Sequence, residues 1–318
     1  MKKQTVIILT GPTAVGKTKA SIGLAKAIDG EIISADSMQV YRHMDIGSAK
    51  IKQEEMDGVP HHLIDVLEPD EDFHVVKFQV LAKKAMQEIW DRGHIPIVTG
   101  GTGFYIQALL YDIDFDENEK EDMYRKELEQ YAAQFGAEAL HEKLALVDPK
   151  SAETIHANNV KRVIRALEFY EQTGKPISEH NETQRQKESP YQFVYFVLTD
   201  ERQHLYARID QRVDLMIEEG LVEEVRSLKE KGYTSQMVSM QGLGYKEILA
   251  YLNGDCTLEE AIYTIKRDTR HFAKRQLTWF KRERDVIWID KEKYNYDEAR
   301  ILDAMLEKIK NLEKREEQ

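Results

Sequence analysis

The chain has 318 residues, 42% hydrophobic and 32% charged, a balance that builds a sizeable core and excludes intrinsic disorder. No apolar run approaches the roughly 18–20 residues of a membrane span, and the single cysteine, Cys256, excludes an intramolecular disulfide and a thiolate zinc cluster. The formal net charge of −12 argues against nucleic acid, yet residues 112–129 hold nine acidic and three basic side chains whereas 266–284 hold eight basic and two acidic ones, so a basic groove remains open to this chain.

The start, Met1 to Thr10, pairs two lysines with a short apolar stretch but runs straight into Gly11-Pro12-Thr13. With no small-residue cleavage site it reads as a first strand, not a signal peptide, and a reducing cytoplasmic location is expected. Lys17–Ile28 has helical spacing, Glu31–Ser34 reads as a second strand, and Phe78, Leu81, Ala82, Ala85, Met86, Ile89 and Trp90 predict an amphipathic helix over 74–91. Ile95–Thr99 is the next strand, closed by Gly100-Gly101-Thr102-Gly103, and Gln192–Leu198 and Val286–Ile289 supply two more. This alternation predicts an α/β fold, a parallel sheet covered by helices on both faces.

Residues 114–190 show helical patterns only, at about 120–135, 137–147 and 159–173. Asn158 or Asn159 is placed to cap the last, Gly174 and Pro176 to stop it, and the polar stretch 178–190 reads as a return linker. The expected organisation is a core of 1–113 and 191–318 with an inserted all-helical domain at 114–190. In the C-terminal third, Ala261, Ile262, Ile265, Phe272, Ala273 and Phe280 form one stripe whose spacing Thr269 and Gln276 continue. The lysines and arginines from Lys266 to Arg282 lie mostly elsewhere, either as a solvated basic face or as a phosphate-contacting one.

Gly11-Pro12-Thr13-Ala14-Val15-Gly16-Lys17-Thr18 matches G-x-x-x-x-G-K-[ST] between a predicted strand and helix, the context that gives the motif meaning. Its amides and the helix N-terminus cradle a di- or triphosphate, Lys17 adds a point charge and Thr18 offers a hydroxyl to Mg²⁺. An ATP-binding protein of this type usually adds an apolar strand ending in Asp. Ile95–Thr99 ends in Thr-Gly-Gly instead, while Val286–Asp290 and Phe196–Asp200 only look similar, Asp200 being placed to cap the next helix. Asp36 follows a strand at its carboxyl end, where open α/β sheets bind ligands, to orient a metal, accept a proton or shape a turn. His61-His62 lacks a third ligand at convincing spacing.

Several blocks of this sequence resemble one family. Besides the phosphate loop, they are Ile33 to Arg42 (Ile-Ser-Ala-Asp-Ser-Met-Gln-Val-Tyr-Arg), Met44 to Lys50, Val59 to Asp65, Val98 to Tyr105, Gln241 to Lys246 and Arg275 to Phe280. In order and over nearly the whole chain, they are similar to the tRNA dimethylallyltransferases. With no zinc-finger extension after the last helix, the bacterial type is expected. The resemblance implies transfer of a dimethylallyl group from its diphosphate to N6 of adenosine 37 in tRNAs that read codons beginning with U. It also implies Mg²⁺, a P-loop NTPase-like α/β core with flanking helices and an inserted helical domain, and a tRNA anticodon stem-loop as partner; a monomer without a membrane is expected. By that pattern Asp36 orients the adenine amine and takes its proton, while Thr13, Lys17 and Arg212, with Arg208 as the alternative arginine, serve the diphosphate. Asp36, Ser37, Met38 and Gln39 would meet the flipped nucleotide, and Thr102, Arg125, Lys161, Arg162 and Arg165 the tRNA. An adenylate isopentenyltransferase acting on free nucleotides shares the loop and Asp36 but needs no basic tRNA surface. A P-loop small-molecule kinase would consume ATP, and an RNA-binding module would have no use for an intact Gly16-Lys17-Thr18.

Overall fold

The apolar run that opens the chain forms β1 (Thr5–Thr10), buried from Val6 onward, in a computed structural model that describes residues 3–115 and 121–316. The phosphate loop follows, then α1 (Lys17–Ile28), β2 (Gly30–Ser34), the two-residue β3 (His61–His62), α2 (Val75–Asp91), β4 (Ile95–Gly100) and α3 (Gly103–Leu110). After a helical segment come β5 (Gln192–Thr199), α9 (Arg202–Glu218), α10 (Leu221–Glu230), α11 (Tyr245–Asn253), α12 (Leu258–Phe280), β6 (Val286–Asp290) and α13 (Glu298–Glu316). All strands pair in parallel, in the order β3-β2-β4-β1-β5-β6. Ile7, Leu9, Ile32, Ile97, Val194, Phe196 and Leu198 share a core with Leu24 of α1, Leu205 and Ile209 of α9, and Ile301, Met305 and Ile309 of α13. Strands buried on both faces need apolar residues at consecutive positions, which is why short continuous runs marked them.

The chain divides into two compact units, Met1–Leu110 with Pro190–Gln318, and Tyr111–Ser189. The second unit, among its described residues, is helical: α4 (Glu121–Phe135), α5 (Ala137–Val147), α6 (Pro149–Thr154), α7 (Val160–Thr173) and α8 (Ile177–Gln186). Leu128, Leu140, Leu144, Val163, Ile164 and Leu167 form its core. Residues 116–120 of the acidic segment, with the predicted start of the first helix, lie outside the described residues.

Three local expectations are corrected here. Of the stretch 178–190 read as a linker, residues up to Gln186 belong to α8, which carries one apolar anchor, Ile177, and is fixed by polar contacts. Asp148 accepts from the Ser178 amide at 2.9 Å and its hydroxyl at 2.6 Å, and His180 packs on Phe169; hydrophobic periodicity does not register such a helix. Asn159 stands at the N-cap of α7 but makes no side-chain cap bond. Asp200 does not cap α9, whose N-cap is Glu201. Its buried carboxylate accepts from the Glu201 amide and the Tyr296 hydroxyl instead.

No helix among the described residues is long and apolar enough to cross a membrane.

Candidate active site

Three turns meet at the carboxyl edge of the sheet because β2, β4 and β1 are neighbours there. Thr10 is in register with Gly100, and Ser34 with Thr99. The first turn is the phosphate loop. Ala14 and Gly16 take positive φ, 62° and 98°, and Gly16, as N-cap of α1, offers no side chain to the first helical amides. Those amides have no intrahelical acceptor, so the loop presents donors and a positive helix end to an anion. Lys17 folds back over the loop, donating to the Gly11 and Pro12 carbonyls at 3.0 and 2.9 Å. Burial pushes its ammonium down to about 8, Asp36 pulls it up and Arg212 adds to the lowering.

The second turn carries Asp36. Its Oδ1 accepts from the amides of Met38, at 2.8 Å, and Gln39; an Asx turn thus fixes the carboxylate. The third is Gly100 to Gly103. A Cβ on Gly100 would overlap the Ala35 carbonyl, and the Thr102 amide donates to that same carbonyl at 3.3 Å, so Thr102 lies against the Asp36 turn. Gln39 spends its side chain within the loop. Its Oε1 accepts from the Ser34 hydroxyl at 3.0 Å and its Nε2 donates to the Ala49 carbonyl at 3.3 Å. Met38 lies against Gly242, and Ser37 is half-buried.

Cations arrive from α9. Arg208 and Arg212 are one helical turn apart; Arg208 lies beside the loop, and Arg212 is coupled electrostatically to Lys17 and Asp36. Burial lowers the Arg212 pKa, opposed by Asp36 and reinforced by Arg208, while an Arg208 nitrogen lies 3.5 Å from where a Gly16 Cβ would stand. The structure therefore brings Asp36, Lys17, Arg208 and Arg212 into one field. Part of the basic face of α12 is engaged in holding α9. Lys266 pairs with Asp214 at 2.6 Å, and Arg270 with Asp210. Lys274, Arg275, Lys281 and Arg282 stay exposed.

Two residues of the site escaped the sequence reading of its chemistry. Gln276, 5% exposed, accepts the Thr13 amide at 2.8 Å and donates to the Gly101 carbonyl at 3.0 Å, which takes the Thr13 amide out of the anion cradle. A polar residue continuing an apolar stripe was its signal. Lys291, 4% exposed, follows β6 and donates to the Val15 carbonyl at 3.4 Å and to Glu298 at 3.2 Å. It stands 3.1 Å from a Gly16 Cβ position. The preceding Asp290 caps the turn Lys291–Tyr294.

The remaining predicted tRNA residues belong to the second unit. Lys161 and Arg162 are exposed on α7 and Arg165 is half-buried. Arg125 forms a two-pronged pair with Glu168, at 2.8 and 2.9 Å, and Glu168 is 1% exposed. His62 Nε2 donates to the Glu31 carboxylate at 2.7 Å, and among the described residues no cluster of three His, Cys, Asp or Glu is arranged to hold a metal. Thr18, exposed at the second position of α1, suits Mg²⁺ bound mainly through phosphate oxygens, which needs one hydroxyl and no carboxylate cage.

Comparison with known proteins gives one answer. A family model described as IPP transferase matches residues 39–283. A tRNA dimethylallyltransferase of Lachnoclostridium phytofermentans is 64% identical over 303 residues, 95% of this chain and 96% of the relative. The crystal structure of the full-length tRNA isopentenylpyrophosphate transferase from Bacillus halodurans aligns over 100% of both chains at 46% identity, TM-score 0.74. A eukaryotic dimethylallyltransferase acting on tRNA aligns over 90% of this chain and 74% of its own at 32% identity, TM-score 0.77. The chain belongs to the IPP transferase family, that of the tRNA dimethylallyltransferases.

Proposed function

We propose that this enzyme moves a dimethylallyl group from dimethylallyl diphosphate to N6 of adenosine 37 in tRNAs reading codons that begin with U. The observation that carries the reading is the juxtaposition of the fixed Asp36 carboxylate with Lys17 and Arg212 beside an anion-binding loop. The diphosphate sits on the loop amides. As the allylic C1–O bond breaks, negative charge grows on the diphosphate, where Lys17, Arg212 and the Thr13 hydroxyl stabilise it. The C1–N6 bond forms and Asp36 takes the proton that N6 loses. Mg²⁺ at Thr18, when bound, neutralises further leaving-group charge.

Adenosine must leave its stack to reach Asp36, and the exposed Lys161 and Arg162 supply tRNA contacts from the second unit. The enzyme works as a cytoplasmic monomer, without a membrane. A nucleoside digest of tRNA from cells lacking the gene tests the assignment. N6-isopentenyladenosine and its derivatives should disappear and return with the wild-type gene but not with Asp36→Ala. Their persistence in the deletion strain would end the assignment.

A further inference from the structure

Glu224 of α10 accepts four hydrogen bonds. Its Oε2 takes the amides of Asp45 and Ile46 at 3.0 and 2.7 Å, and its Oε1 takes the Gly47 amide at 3.1 Å and the Tyr245 hydroxyl at 2.7 Å. Four donors fill the acceptor capacity of one carboxylate. The fit around it is close, since a Cβ on Gly47 would stand 2.6 Å from the Tyr245 ring. Two sequence blocks that looked separate, 44–50 and 241–246, thus converge on one side chain.

The anchored segment leads directly to Asp36. Gln39 donates to the Ala49 carbonyl, the Gln39 amide donates to Asp36, and Met38 touches Gly242. Lys50, buried beneath, donates to the Tyr41 carbonyl, Asp45 and Asp65. Glu224 follows Arg212 by twelve positions across the α9–α10 turn, so one helical hairpin bears both the arginine for the diphosphate and the anchor for the proton acceptor. We infer that Glu224 is a positioning residue that holds the Asp36 loop in register with the diphosphate site and so sets the rate of base attack. The inference rests on the reading that Asp36 serves the tRNA nucleotide.

The isosteric variant makes a sharp test. Glu224→Gln has one acceptor oxygen, and its NH₂ must face either the Asp45 and Ile46 amides or the Gly47 amide, none of which can accept. We expect the single-turnover rate constant with saturating tRNA, which is independent of the active fraction, to fall roughly tenfold or more. The KM for tRNA should rise, and inhibition by inorganic diphosphate should stay within about twofold of wild type, because the phosphate loop is untouched. A role in fold stability alone would lower the melting temperature and leave the rate constant unaltered, which overturns the inference, as does an equal loss of diphosphate affinity. Should Glu224→Gln not fold, Tyr245→Phe carries the test. It removes one donor and should slow single turnover about two- to fivefold, whereas an unaltered rate contradicts the inference. Wild type is assayed in parallel. If it yields no prenylated tRNA, the underlying reading fails; if it is active and the variants match it, only the role of Glu224 fails.

Discussion

Gln276 of α12 and Thr13 of the phosphate loop are joined by a 2.8 Å hydrogen bond across the site, and the other end of the same amide holds Gly101. The side chain therefore ties the diphosphate turn to the turn that backs Asp36. Gln276→Leu leaves a half-buried amide and a buried carbonyl without this partner, a cost of about 1–3 kcal/mol. Thermal unfolding should shift down accordingly, and the KM for dimethylallyl diphosphate should rise roughly tenfold. A wild-type KM in this variant would mean that the loop holds its shape unaided.

Lys17 sets a pH dependence. Its folded pKa, about 8, lies below the ordinary 10.5, so between those values the folded chain holds fewer protons there than the unfolded one. The penalty that this residue places on folding is fully present below about pH 8 and is relieved as pH rises through that window. A bound diphosphate favours the ammonium, so binding should take up a proton near pH 8.5–9. Calorimetry of inorganic diphosphate in two buffers of different ionisation enthalpy measures this uptake, and Lys17→Ala should abolish it.

Asp36→Ala should lower kcat by on the order of 10²-fold or more, the usual loss for a positioned general base, while tRNA binding changes far less. Filter binding alongside single-turnover kinetics separates the two. Near-normal turnover would reduce Asp36 to the residue that shapes its turn.

The second unit offers two kinds of basic residue, and they should behave differently. Replacing the exposed Lys161 and Arg162 should flatten the salt dependence of tRNA affinity without altering dimethylallyl diphosphate binding. Arg125→Ala strands the buried Glu168 and should act mainly on stability, by about 1–3 kcal/mol after allowance for the half-exposed arginine. A flattened salt slope in a fully stable Arg125→Ala protein would reverse that assignment.

What the sequence made legible were features written locally. The strands appear because parallel sheets need consecutive apolar residues, and the phosphate loop because its glycine spacing and flanking elements are contiguous. Asp36 appears because it stands two residues past the carboxyl end of a strand. Lys291 was hidden because its contact with Val15 depends on β6 lying beside β5, a strand order that local patterning does not state. Glu224 was hidden for the same reason; on an amphipathic helix it looks like any solvated carboxylate until the 45–47 segment folds over it. Gln276 was half visible, as a polar side chain in register with an apolar stripe, but its partners lie 263 and 175 positions away.

The central claim is that the loop holds a diphosphate leaving group and that no nucleotide is spent. Purified protein, Mg²⁺, tRNA and labelled dimethylallyl diphosphate, with and without ATP, test it in one assay that counts modified tRNA, diphosphate and orthophosphate. The account predicts transfer without ATP, one inorganic diphosphate per prenylated tRNA, inhibition rather than stimulation by added ATP, and no transfer by Lys17→Ala. A strict ATP requirement, or orthophosphate released in step with transfer, would contradict it.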